Sequence, residues 1–146
     1  MLFNHNITTP ITGADFKKYY IFRWNLLRKP WAQPLGSEKD PLENESVHRM
    51  AVINNKVIAV GRLHYVDKTT AQLRYMAVDK TFEKQGIGKA IYSSLEEEAR
   101  NNKIKLIILN ARESAVGFYK KLGFTVKKKT YVLFNEIQHY EMQKHL

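Results

Sequence analysis

The stretch Leu73-Arg74-Tyr75-Met76-Ala77-Val78, followed after a short polar connection by Gln85-Gly86-Ile87-Gly88-Lys89-Ala90, decides how the rest of the chain is read. An apolar, β-like run stops and two glycines turn the chain. A helical period then opens at once, with Ile87, Ala90, Ile91, Ser94 and Leu95 on one face. The pattern is a strand, a phosphate loop and a helix. The first turn of a helix carries backbone N–H groups without intrahelical partners and the positive end of the macrodipole, so a phosphate is welcome there once glycine lets it approach. Lys84 and Lys89 flank the turn, each adding about 0.3 to 1 kcal/mol toward an anion. A tight strand-to-helix turn without a ligand would look much the same.

Spacing excludes two familiar phosphate motifs. Glu83 stands where a Walker A loop has its first glycine, and Ala90 replaces its hydroxyl residue. The dinucleotide fingerprint needs a third glycine where this chain has Ile91, and no ribose-binding acid occurs near Ile108 to Ala111.

Glu83-Lys84-Gln85-Gly86-Ile87-Gly88 resembles the acetyl-CoA loop of the GNAT N-acetyltransferases, Gln/Arg-x-x-Gly-x-Gly/Ala, with Glu83 at the Gln/Arg position. Ala115-Val116-Gly117-Phe118-Tyr119-Lys120-Lys121-Leu122-Gly123-Phe124 is similar to a second segment of that family, Ala-x-x-Phe-Tyr-x-Lys-Leu-Gly-Phe. The resemblance implies acetyl-CoA or coenzyme A as cofactor. It places the main chain of Met76, Ala77 and Val78 along the pantetheine arm, in a gap between two splayed strands, and Lys84, Gln85, Gly86, Ile87, Gly88 and Lys89 at the pyrophosphate. Asn110, Phe118 and Lys121 complete the cofactor-binding set, although Asn110 also suits a plain turn. Tyr119 takes the family's general-acid position, and a core aromatic is the competing reading.

Composition sets the outer bounds. A chain of 146 residues is one domain's worth and buries about two thirds of its unfolded surface. Its apolar and charged fractions, 44% and 26%, are ordinary for a soluble globule. No long apolar run or charged-then-apolar leader is visible, so no membrane span or secretory signal is expected and cytoplasm is the default. Zero cysteines exclude disulfides, a thiolate nucleophile and an acyl-cysteine intermediate. The net charge of +10 predicts attraction to anions: a phosphate-bearing cofactor or, in the alternative reading, nucleic acid. No metal is expected, because the histidines lack partners at ligand spacing.

Along the chain, Leu2 to Thr8 reads as a strand and Ala14 to Arg28 as a helix capped by Thr12 or Asp15. Pro30 to Ser46 reads as a long loop, locally acidic through Glu38, Asp40, Glu43 and Glu45. Val47 to Asn54, Val57 to Val66 and Thr69 to Val78 form a meander in which Gln72, Arg74 and Met76 alternate with Leu73, Tyr75 and Ala77. A helix from Gly86 to Asn102, a buried strand from Ile104 to Leu109 and a helix capped by Ser114 follow, then two antiparallel strands whose edge could pair between subunits in a homodimer. The order β-α-β-β-β-α-β-α-β-β is that of the GNAT fold: an α/β, or α+β, single domain with a mixed sheet of six to seven strands and three to four helices.

An amine acceptor, small molecule or peptide, is implied, with Glu38, Glu43, His48, His64, Arg74, Glu136 and His139 as candidates around it. The acidic segment would form a rim facing a cationic amine, or else a solvated loop. Gln72 and Arg74 occupy the position where several family members carry a glutamate base. Bringing an amine of pKa about 10.4 to its neutral form at pH 7 costs about 4.6 kcal/mol. Holding the two reactants together supplies about 7 to 11 kcal/mol, so a strong base is helpful rather than obligatory.

Overall fold

The computed structural model describes residues 6–146. Leu2 to His5 of the expected first strand lie outside the described residues; its remainder is β1, Asn6–Thr8. Thr12 starts the first helix through a reciprocal cap. Its hydroxyl accepts the Asp15 N–H at 3.0 Å, and the Asp15 carboxylate accepts the Thr12 N–H at 3.1 Å. The helix, α1, spans Gly13–Leu27. Next come β2 (Val47–Ile53), β3 (Lys56–Tyr65) and β4 (Thr70–Val78). After α2 (Ile87–Asn101), β5 (Leu106–Arg112) and α3 (Val116–Lys121), the chain closes with β6 (Thr125–Leu133) and β7 (Ile137–His145). Asn54 and Asn55, both at positive φ (49° and 64°), make the β2–β3 hairpin turn.

The sheet order is β1-β2-β3-β4-β5-β7-β6, antiparallel throughout except for the parallel pair β4–β5. Two apolar clusters hold it. Tyr19 of α1 packs with Met50, Val57 and Val60. Ile87, Ile91 and Leu95 of α2 pack with Ile58, Leu63, Leu73, Ile107 and Met142. β3 is therefore buried from Val57 to His64, and each fully buried aliphatic side chain there contributes about 1.5 to 3 kcal/mol. At the other edge, Lys127, Lys128 and Lys129 stand exposed on β6, the charge pattern by which free edges resist pairing with other chains.

One irregularity shapes the centre of the sheet. Val60 pairs with Ala77 and Arg62 with Arg74, so Tyr75 and Met76 together oppose Gly61 alone. Tyr75 sits at φ 57° to make this bulge. A Cβ on Gly61 would stand 2.5 Å from Met76 Sδ and 2.6 Å from Ile91 Cγ2, so only glycine fits beneath it. A bulge bends its strand. The β4–β5 ladder accordingly runs only from Thr70↔Leu106 to Gln72↔Ile108, and beyond it the two strands part.

Several expected details differ. The strand expected at Ile104 to Leu109 starts at Leu106, because Lys103 turns at φ 64° and the Ile104 N–H still serves α2 by donating to the Ala99 carbonyl. It runs on to Arg112, so Asn110 lies within β5 opposite Glu141 rather than at its end. Ser114 caps nothing: it lies inside a 3-10 turn, Glu113–Ala115, and Ala115 occupies the N-cap of α3 without a side-chain bond. The alternation expected along β4 breaks at the bulge. Met76 returns to the α2 side with Leu73, while Arg74 and Tyr75 both meet the arginines beside α1.

Candidate active site

Where β4 and β5 part, a cavity of about 420 Å³ opens between Leu73–Met76 on one side and Leu109–Arg112 on the other. α3 brings Tyr119 into it, β7 brings His139, and the end of α1 brings Arg28. The glycine turn lies at the end of the same strand. Gly86 caps α2 at φ 81°, where an L side chain would be strained. The first bond of the helix is Ala90 N–H to Gly86 O at 3.0 Å. The N–H groups of Ile87, Gly88 and Lys89 thus precede any intrahelical bond. Lys84, Gln85, Gly86 and Lys89 are exposed around them, while Phe118 and Val78 close over the backbone of Gly88.

Tyr119 is nearly buried, at 7% exposure. Its ring packs edge-on against Phe118 and Phe124. Its hydroxyl has no hydrogen-bond partner among the described residues, and burial pushes its pKa well above the ordinary phenol value, with the Arg112 charge opposing in part. It is a proton-holding group at neutral pH.

A match to the family model for the acetyltransferase (GNAT) family covers residues 15–124. The chain belongs to the GNAT acetyltransferase family. It is 33% identical over 130 residues to an uncharacterized N-acetyltransferase, YjcF, of Bacillus subtilis (strain 168), covering 89% of this chain and 92% of that one. Among solved structures, an acyl-CoA N-acyltransferase from Pseudomonas aeruginosa superposes with a TM-score of 0.80 at 18% identity over 97% of this chain and 98% of that one. A GNAT family acetyltransferase from Elizabethkingia anophelis with acetyl-CoA bound superposes at 0.74, 19% identity, and 98% and 99% coverage. At these identities the structural matches speak for the fold, and the mixed seven-stranded sheet with three α-helices is the GNAT fold.

Within this GNAT fold the acidic segment is neither a rim nor, apart from the exposed Glu45, a solvated loop. It contains two 3-10 turns, Lys29–Trp31 and Glu43–Glu45, and folds down onto buried arginines. Glu43 bridges Arg23 Nη1 (2.9 Å) and Arg62 Nη1 (2.8 Å). Asp40 bridges Arg62 Nη1 (2.7 Å) and Arg74 Nη1 (2.8 Å). Burial pushes the Asp40 carboxyl up, but Arg62, the Leu42 N–H and Arg74 outweigh it and hold it at about 2. Glu38 accepts the Gly36 N–H at 2.7 Å. The Tyr75 ring sits among these arginines, 4.2 Å from Arg23 Cζ, 5.0 Å from Arg62 Cζ and 4.6 Å from Arg74 Cζ.

Two histidines belong to this network. His48 Nε2 donates to the Glu43 carbonyl at 2.8 Å, which leaves Nδ1 to accept from Tyr19 Oη at 2.8 Å. Together with Glu43 it borders a separate hollow of about 370 Å³ near Phe16 and Tyr20. His64 Nδ1 accepts from Arg62 Nη2 at 3.0 Å. Burial lowers the pKa of both rings.

Of the acceptor-side candidates, Arg74 and His139 line the cavity; Glu38, Glu43, His48, His64 and Glu136 do not. Glu136 lies exposed in the hairpin turn after Phe134 and Asn135. His139 stacks on Tyr131 with centroids 4.6 Å apart. Its Nδ1 bonds the Ile137 carbonyl at 2.9 Å, so Nδ1 carries the proton and Nε2 is left as an acceptor. Burial lowers its pKa; the Ile137 carbonyl opposes that, and Arg112 and Arg28 add to it. Among the expected cofactor residues, Met76 and Asn110 line the cavity, and Lys121 is exposed on α3. Sequence reasoning passed over Arg28, Arg112 and Tyr131. The available signal was an arginine closing an otherwise apolar strand, Leu106 to Ala111.

Proposed function

We propose that this domain transfers an acetyl group from acetyl-CoA to an amine by direct attack in a ternary complex, with Tyr119 as general acid. The observation that carries it is the parting of β4 from β5 with Tyr119 lining the cavity that opens there. The residues present fit the cofactor. Past Gln72 and Ile108 the two strands have lost each other as hydrogen-bonding partners, and amide groups of a bound arm can take those places. Met76, Ala77 and Val78 would hold that arm. The free first-turn N–H groups of α2, with Lys84 and Lys89, would hold the pyrophosphate. Acetyl-CoA supplies an activated acyl thioester.

The chain's own residues then handle protons. Tyr119 Oη, kept protonated by burial, would give its proton to the sulfur as the carbon–sulfur bond breaks; a phenol is a weaker acid than a thiol of pKa about 8.5, so the transfer is uphill by itself and is driven by its coupling to amide formation. His139 Nε2, the ring nitrogen left as an acceptor, would receive a proton from the amine, directly or through water. With no cysteine in the chain, direct attack needs no acyl-enzyme.

Calorimetry with acetyl-CoA and steady-state rates on a panel of amines test this. Tyr119→Phe should leave the acetyl-CoA Kd within about twofold and lower kcat by about a hundredfold. Unchanged kcat would remove Tyr119 from the chemistry, and absence of acetyl-CoA binding to the native protein would remove the function.

A further inference from the structure

Five of the arginines near the sheet centre divide sharply by partner. Arg23, Arg62 and Arg74 each have a carboxylate within 2.9 Å. Arg28 and Arg112 line the cavity and have none. Their hydrogen bonds go to neutral carbonyls: Arg28 Nε to Ser37 O at 3.0 Å, Arg28 Nη1 to Leu27 O at 2.9 Å, and Arg112 Nη2 to that same Leu27 O at 3.2 Å. Two guanidinium groups therefore converge on one oxygen at the end of α1. Burial disfavours the charge of both, and for Arg112 the neighbouring Arg28 is the next cause. Glu38 bears weakly on Arg28, but its carboxylate is engaged by the Gly36 N–H. No aspartate or glutamate lines the cavity at all, whereas Arg28, Arg74, Arg112 and His139 do.

Aromatic rings fix these cations without neutralising them. Arg112 Cζ lies 4.5 Å from the Trp31 ring, and Arg28 Cζ lies 5.4 Å from the Phe134 ring. Trp31 and Phe134 stack on each other at 6.3 Å. Among the described residues Arg28 Nη2 and Arg112 Nε and Nη1 are left without hydrogen-bond partners, and open guanidinium N–H groups are matched to a carboxylate. A partly buried like-charge pair of this kind is costly until an anion arrives.

We propose that the acceptor is an aminocarboxylate, an amino acid or a small peptide, whose carboxylate is bound between Arg28 and Arg112 while its amine faces Tyr119 and His139. This rests on the transferase reading above and deepens it by naming the acceptor class. It sets aside polyamines and other polycations, which the two unpaired guanidinium groups repel.

The test uses the full chain saturated with acetyl-CoA and matched acceptors that differ only in the anionic group: L-lysine against cadaverine, L-phenylalanine against phenethylamine, and glycyl-L-alanine against its amide. In at least one pair the carboxylate member should show a kcat/KM at least tenfold higher. Arg112→Gln should reduce that preference below threefold through KM, with the acetyl-CoA Kd by calorimetry unchanged, and Arg112→Lys should fall between. Equal or better use of the carboxylate-free member in every pair overturns the proposal, as does faster turnover of O-phosphoethanolamine than of β-alanine. If no member of any pair turns over, calorimetry of the coenzyme A complex with the N-acetyl products decides: a carboxylate-dependent Kd supports the proposal, and no binding overturns it. Failure of acetyl-CoA itself to bind would instead strike the transferase reading.

Discussion

The two groups of arginines teach by contrast. Beside α1, Arg23 and Arg62 are fully buried, and an acidic segment of the same chain has been folded over to satisfy them. A few residues away, Arg28 and Arg112 face an open cavity and share a backbone carbonyl. Burying a charge is costly unless it is paired. The first group has its counter-charge built in and serves the fold, holding the bulged part of β4 in place. The second leaves its counter-charge to come from outside, which is what a binding site does.

Measurements that separate the groups differ in size. The largest effect is expected from Glu43→Ala, which strips both buried guanidiniums of a carboxylate and should cost about 3 to 5 kcal/mol in urea unfolding. A loss under about 1 kcal/mol would mean that the network is not what secures the fold. Arg112→Met should be the opposite case. It removes a cation with no ion pair, so stability should change by less than about 1 kcal/mol; a loss as large as that of Glu43→Ala would erase the distinction and make Arg112 structural.

The smallest effect is expected from pH. His48, His64 and His139 all have pKa values lowered by burial. The unfolded chain therefore takes up protons near pH 6.5 while the folded one does not, and stability is present above that pH and is lost as the pH falls through the lowered values. Tm should decline between pH 7.5 and 5, and His48→Gln together with His64→Gln should flatten the decline more than His139→Gln, since two of the three rings belong to the paired group.

The glycine turn and the Ala115 to Phe124 segment were legible because their information is local: a strand that stops, a helix that starts, and spacing along one chain. Element order followed from the same periodicities. The acidic segment was not legible, because a run of Glu38, Asp40, Glu43 and Glu45 states a charge without stating what it will face. Arg23 and Arg62, which it neutralises, sit on α1 and β3, where a helical stripe and a strand alternation both read as ordinary core faces. Arg28 and Arg112 were missed for a related reason. In a chain of net charge +10, two more cations draw no attention until the fold shows that, of the arginines among the described residues, these two have no acid in ion-pair reach.

The pairing of Tyr75 and Met76 against Gly61 also fixes the parity of β4. Side chains alternate strictly along a strand, so one surplus residue exchanges the faces of everything after it. Deleting Met76 would restore a regular ladder, swing the Tyr75 ring beneath α2, empty the place among the arginines that it fills, and let β4 run on beside β5. The gap between β4 and β5 is thus, in this molecule, a matter of counting: an odd residue in one strand holds the door open.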